Sequence, residues 1–198
     1  MKPRAEEAGF KVEGEAKWLV ADTNYTSQVR ELRRANPDVF VVAAHAFSLC
    51  GILREMDRQG VSPKLTIGLT SSSSGEVMQG CPKLVDGAII PTSFAPINPE
   101  AQRVAEDISK FGGFADLHSA ASWENLMIIK SVIESEGVMG RPDTVAEDRL
   151  KIQKGLAKLQ ETRGLIGPVK RVGREAIKPF VFVVAKSGKW EVVHTPTN

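Results

Sequence analysis

Cysteine is scarce in this chain: Cys50 and Cys81 are the only two among 198 residues. They have neither metal-ligand spacing nor a CxxC partner, which excludes a zinc site or a thioredoxin-type motif built on them. Cys50 stands beside Leu49 at a helix start and reads as a small core residue rather than a reactive thiol. Nothing in the sequence argues for a disulfide or forbids one. No apolar run approaches the roughly 20 residues of a membrane span, and Met1 to Glu7 lacks the apolar centre of a secretory signal. Aromatic residues make up 6% of the chain and the formal net charge is +2. Arg30, Arg33 and Arg34 alternate with Glu31 on one helix, as on a solvated face, so no nucleic-acid partner is expected.

The motifs of catalysis are missing as well. Gly68 and Gly75 do not make a G-x-G-x-x-G phosphate loop. The run Ser71 to Ser74 has no G-x-S-x-G around it. His118 and His194 lack neighbours at metal-binding intervals. These absences point away from an enzyme, a cofactor and a metal. Composition is otherwise that of a soluble globular protein able to bury a sizeable core, with 42% hydrophobic and 25% charged residues.

The centre of the pattern is Gln28 to Gly60. Val29 and Leu32 give a first helix its apolar face, and Asn36-Pro37-Asp38 breaks it. Val39 to Ala44 (VFVVAA) is a short continuous apolar run rich in β-branched residues, which suits a parallel strand covered on both faces. His45 to Ser48 forms the exit loop, and Leu49, Ile52, Leu53 and Met56 recur at helical spacing up to Gly60. Ligands of open α/β sheets bind beyond the carboxyl ends of strands, so the loop at His45 is the first candidate site.

On the amino-terminal side, Ala5 to Gly9 reads as a helix end and Phe10 to Trp18 alternates like a strand, with an N-cap cluster from Asp22 to Thr26. Beyond the centre, Lys64 to Leu69 is a second buried strand that runs into the polar loop Thr70 to Gly75, placed to line a cleft. A short helix (Glu76 to Cys81), a strand (Ala88 to Pro91) and a proline-rich hinge (Thr92 to Pro99) follow. Helices are expected over Glu100 to Phe111, Ser119 to Glu136 and about Thr144 to Thr162. Gly164 to Pro168 turns the chain, and Pro179 to His194 carries a hairpin signature. The helices from Glu100 to Thr162 have no strands of their own between them and need a sheet to cover.

The order and spacing of several segments across nearly the whole chain resemble the carboxyl-terminal portion of a type I periplasmic substrate-binding protein of the branched-chain amino acid importer family. The matching segments are Asn24 to Val29, Pro37 to Val41, Gly60, Asp86 to Ala88, Ser122 to Asn125, Gly164 to Pro168 and the final hairpin. The resemblance implies an α/β fold with two lobes that trap a ligand between them. Residues 1–91 and 165–198 would form the second lobe, and 92–164 would supply a hinge crossover and helices of the first. The first lobe's sheet would then lie before Met1, and a chain without it would tend to self-associate.

By the same resemblance the function is solute binding for an ABC importer in the periplasm, with an inner-membrane permease as partner. The alternatives are a cytoplasmic ligand-sensing domain of the same fold or, from a different class, an α/β enzyme. The family presents an aromatic side chain to the ligand from the loop that holds His45 and Ala46 here. It offers a carboxylate to the ligand's ammonium from the loop that holds Leu69, Thr70 and Ser71. No carboxylate stands there, and Glu76 lies further on. Because a buried ammonium without a charged partner is costly, the expected ligand lacks an α-ammonium. A carboxylate, amide or aromatic acid would be held by His45, Thr70 and Ser71.

Overall fold

The computed structural model describes residues 2–195. In chain order its elements are α1 (Lys2–Glu7), α2 (Thr26–Ala35), β1 (Val39–Val42) and α3 (Ala46–Gln59). Next come β2 (Leu65–Gly68), a 3₁₀ turn at Thr70–Ser73, α4 (Gly75–Gly80) and β3 (Ile89–Thr92). The helices α5 (Pro99–Lys110), α6 (Leu117–Ser135) and α7 (Val145–Lys158) follow. The chain ends with β4 (Glu161–Gly164), β5 (Gly167–Val172), β6 (Glu175–Ile177), β7 (Val181–Lys186) and β8 (Lys189–His194).

The chain divides into two compact units: one runs up to Thr92 and regains Phe182–His194, and the other is Ser93–Val181. The first is built on a five-stranded sheet in the order β1-β2-β3-β7-β8. β1 and β2 are parallel, from Val39 opposite Leu65 to Val42 opposite Gly68, and β3 continues the parallel run. β8 returns antiparallel to β7 through Ser187 and Gly188, both at positive φ, the geometry of a tight two-residue hairpin. On α3, Leu49, Ile52, Leu53 and Met56 are all buried at the spacing that makes one helical face. They pack with Phe40, Val42, Val29 and Tyr25 in one cluster.

In the second unit, α5, α6 and the β4–β5 hairpin close over Phe94, Ala101, Val104, Ala120 and Leu165, with Trp123 packed against them. The buried Val132 of α6 meets α7 at Gly155, where a Cβ would stand only 2.5 Å from Val132 Cγ1.

The structure corrects the sequence reading at five places. Phe10 to Trp18 alternates like a strand but pairs with no strand among the described residues, and Phe10 is exposed. A period-two pattern marks a pleated face, while a strand also needs a neighbour's hydrogen bonds. At the start of α2 the cap residue is Tyr25, which makes no side-chain cap bond; the hydroxyl instead donates to Asp22 O at 2.6 Å.

The charged helix ends at Lys158, and Glu161 to Thr162 belong to β4. No strand lies between α5, α6 and α7, but the three-stranded antiparallel sheet β4-β5-β6, which the sequence reading did not foresee, follows α7 directly, and residues 165–181 cluster with the helices. Cys50 is not a free core thiol, since it is disulfide-bonded to Cys81. Thirty-one residues separate the two cysteines, and sequence spacing alone carries no information about their approach.

Candidate functional site

The carboxyl ends of β1 and β2 lie side by side because their registers are fixed at Val42 and Gly68. After β1 the chain turns at Ala44 and enters α3 with His45 as the cap residue, in extended backbone geometry and with no side-chain cap bond. No acidic residue occupies the first turn of this helix. The amides that open a helix have no partner within it, and the helix dipole adds partial positive charge there.

After β2 the chain passes Leu69, whose amide donates to Val42 O at 3.0 Å, and folds into the 3₁₀ turn. Gly68 lets this turn come close: a Cβ there would stand 2.9 Å from Ile90 and 3.0 Å from Ser72. Two of the serines then bind the neighbouring loop. Ser71 Oγ donates to Ala44 O at 3.0 Å and Ser72 Oγ to the same oxygen at 2.7 Å. Ser73 Oγ lies 2.8 Å from both Thr70 O and Thr92 Oγ1.

The polar run is thus a folded part of the sheet edge, with Ser72, Ser73 and Ser74 buried. The protons of Ser71 and Ser72 are spent on a carbonyl oxygen, so neither is an activated nucleophile. The lone pairs left on Ser71 make it an acceptor toward a bound molecule.

All four residues expected at the site stand on these two loops. His45 is exposed, Ala46 is buried beneath it, and Thr70 and Ser71 are half-buried. The shared Ala44 carbonyl ties the pairs together. Sequence reasoning missed Phe47, an aromatic side chain 64% exposed on the first turn of α3. Phe47 stands two residues beyond the strand-end histidine, and its exposure, which only the fold shows, sets it apart from an ordinary helix residue. Sequence reasoning also missed Ser74, whose buried hydroxyl has no hydrogen-bond partner among the described residues.

The only carboxylate nearby in sequence, Glu76, points outward from the first turn of α4 and is exposed. Further along α3, Arg58 and Gln59 both donate to Glu55. These bonds hold the Glu55 carboxyl down at about 2. That cluster braces the helix, with Gln59 Nε2 reaching Thr26 O of α2 at 3.1 Å.

Other candidate groups lie elsewhere. His194 sits beside Phe182 with ring centres 5.8 Å apart. Trp123 packs into the core of its own unit. An open groove of about 700 Å³ runs along the start of α5 and the β4–β5 hairpin. Three of its polar side chains are committed: Arg163 pairs with Glu100, and Asn98 caps Ala101 and donates to Leu165 O. Among the described residues no group of three His, Cys, Asp or Glu side chains could hold a metal ion. Among the described residues no helix is long and apolar enough to cross a membrane.

Comparison with solved structures finds the same fold. A leucine-binding protein from Thermotoga maritima superposes with a TM-score of 0.81 at 20% identity, covering 98% of this chain and 55% of that one. A solute-binding protein of an ABC transporter from R. palustris, solved in complex with benzoate, gives 0.81 at 15% identity, covering 98% and 52%. The substrate-binding protein of a branched-chain amino acid transporter from Streptococcus pneumoniae, in complex with isoleucine, gives 0.72 at 14% identity, covering 89% and 50%. The chain therefore spans about half the length of the solved structures it matches. No curated protein matches the sequence. The family model described as periplasmic binding protein matches residues 1–189. The α/β architecture, the position of the site loops at the sheet's carboxyl edge and this match agree, and the chain belongs to the periplasmic binding protein family.

Proposed function

We propose that this protein is a solute-binding component of an ABC importer that works outside the cytoplasm, delivers its ligand to a membrane permease, and takes a small organic acid that carries no α-ammonium. Binding, rather than catalysis, is what the family does. The observation that supports the ligand class is the charge pattern of the two loops. The start of α3 offers amides that have no partner within the helix and positive dipole character, with no acidic residue in its first turn, and no carboxylate stands between Leu69 and Gly75. Such an edge attracts a carboxylate and gives an ammonium no counter-ion.

His45 and Phe47 stand at the start of α3, and Thr70 and Ser71 stand on the adjacent loop, where Ser71 reaches Ala44 O. An aromatic carboxylate or an amide-bearing acid satisfies all of these. The benzoate held by the R. palustris neighbour is a molecule of this class.

The disulfide between Cys50 and Cys81 supports the importer over a cytoplasmic sensor of the same fold, because such bonds persist in oxidising compartments. Calorimetric titration with benzoate and, separately, with leucine tests the reading. Heat from benzoate that is lost in His45→Ala and Thr70→Val is the expected result. Tight leucine binding with no response to benzoate would overturn it.

A further inference from the structure

The segment between β2 and Cys81 is gripped at both ends by the element it lies against. At its start, Ser71 and Ser72 donate to Ala44 O, next to the beginning of α3. At its end, Cys81 is bonded to Cys50 on α3, with Cα atoms 5.5 Å apart. One turn further along α3, Arg54 donates to Gly80 O at 2.7 Å. Gly80 packs closely on the bond, since a Cβ there would stand 3.1 Å from Cys50 Sγ.

Between these grips lie a 3₁₀ turn of four residues and a helix of six, both too short to hold themselves together. Val77 is the only buried hydrophobic side chain of α4. Among the described residues the buried Ser74 hydroxyl in the middle of the segment has no partner, an arrangement that favours loosening toward water wherever the chain is free to move.

We propose that the Cys50–Cys81 bond positions the ligand loop. The oxidised chain holds Thr70 to Ser74 against the loop of His45, and the dithiol form lets it go. Reduction is balanced by a dithiol reagent, which gives two electrons and two protons, breaks the S–S bond into two thiols and leaves as its own disulfide. Oxidation by a disulfide-class oxidant runs the same exchange backward. Oxidation is thus the step that completes the site.

Amide hydrogen exchange on the whole chain tests this without any ligand. In the dithiol-treated protein and in a Cys50→Ala/Cys81→Ala variant, exchange at Ser72 and Val77 is expected to rise at least about tenfold, with α2 unchanged. Unchanged exchange in the loop, or an equal rise throughout the first unit, overturns the proposal. Arg54→Ala, with the disulfide intact, is expected to leave the loop within about twofold of the original; a tenfold rise there would assign the positioning to Arg54 instead.

A second arm rests on the binding role proposed above and uses benzoate as probe. Its affinity is expected to fall at least about tenfold on reduction, and equal affinity in both forms overturns the proposal. If neither form binds benzoate while loop exchange still differs, the ligand reading fails and the positioning role stands.

Discussion

Ser72 Oγ donates to the carbonyl oxygen of Ala44 across 2.7 Å of buried space, and this bond joins the exit of one parallel strand to the loop after the next. The two loops behave as one surface because neither can shift without breaking it. Ser71 reaches the same oxygen from a half-buried position. Replacing Ser72 by Ala removes the buried donor but leaves the Ala44 carbonyl its second partner. The expected loss is about 1 kcal/mol, the usual net worth of such a bond, read as a lower urea midpoint with unchanged slope. A loss near zero would mean that Ser71 alone carries the joint. Ser71→Ala is expected to cost less stability than Ser72→Ala and more benzoate affinity.

Glu124 organises the second unit in a comparable way. One of its carboxylate oxygens accepts the Leu165 amide at 2.7 Å, at the tip of the β4–β5 hairpin. The other pairs with Lys178 beyond β6. Both charged groups are largely withdrawn from water. Glu124→Leu strands the Lys178 ammonium and frees the Leu165 amide, and should cost about 3 kcal/mol, the lower end of the range for breaking a buried pair because Lys178 keeps some access to solvent. Adding Lys178→Met should recover a large part of that loss. Urea denaturation of the two single variants and the double variant supplies the coupling energy. Additive losses would show that the pair is not coupled.

The parts that were legible in the sequence are those where one local rule settles the matter. The apolar run Val39 to Ala44 and the helical spacing of Leu49, Ile52, Leu53 and Met56 gave β1 and α3, but the expectation that the strand is covered on both faces fails: β1 is the edge of its sheet and Val41 is 44% exposed. A local rule also settles the terminal hairpin, where Ser187-Gly188 supplies the positive φ that a tight turn demands. Phe10 to Trp18 failed because a strand is a relation between two segments. The turn at Gly164 to Pro168 was legible, but the strands on either side of it were not, because a charged helical pattern runs up to the first of them and their side chains are mostly exposed. The disulfide was illegible for the same reason as the strand: it depends on where α3 and α4 meet. At the site, strand-end geometry picked out His45 and Thr70, whereas Phe47 looked like a helix residue and only its exposure in the fold distinguishes it.

Acid stability should carry the signature of Glu55. Arg58 and Gln59 hold its carboxyl at about 2 in the folded chain against an ordinary value of 4.5. The folded state therefore binds this proton less readily than the unfolded one. Stability from the group is fully present above pH 4.5 and drains away as pH falls toward 2. Asp107 and Asp148 are also lowered, by bonds from Lys110 and Thr144 respectively, so their contribution is likewise present above the ordinary carboxylate range and is lost as pH falls below it. The informative quantity is thus the difference between the wild-type protein and Glu55→Gln. Thermal melts between pH 6 and pH 2 should show the two curves converging as acid is added (about two pH intervals below neutrality, where the unfolded carboxyl protonates). Parallel curves across that range would place Glu55's stabilising bonds outside the folded-state balance.

The outer side of α6 gives the last expectation. Leu126, Ile129 and Ile133 are 57%, 40% and 37% exposed, and their spacing of three and four residues puts them on one face. That helix is apolar on this side as well as on the side bearing Ala120 and Val132, which are buried. A polar outer face is the rule for a helix that ends its packing at the solvent, and contiguous apolar surface tends to find a partner. Only Lys130 and Glu134 interrupt the stripe, and they are 3.8 Å apart, spent on each other. The chain on its own should therefore self-associate through α6 as concentration rises. Static light scattering should report a mass above the monomer's that falls toward it in Leu126→Glu/Ile129→Lys, with hairpin and sheet signals in circular dichroism retained. A clean monomer at the highest soluble concentration would show instead that the charged residues beside the stripe suffice to keep copies apart.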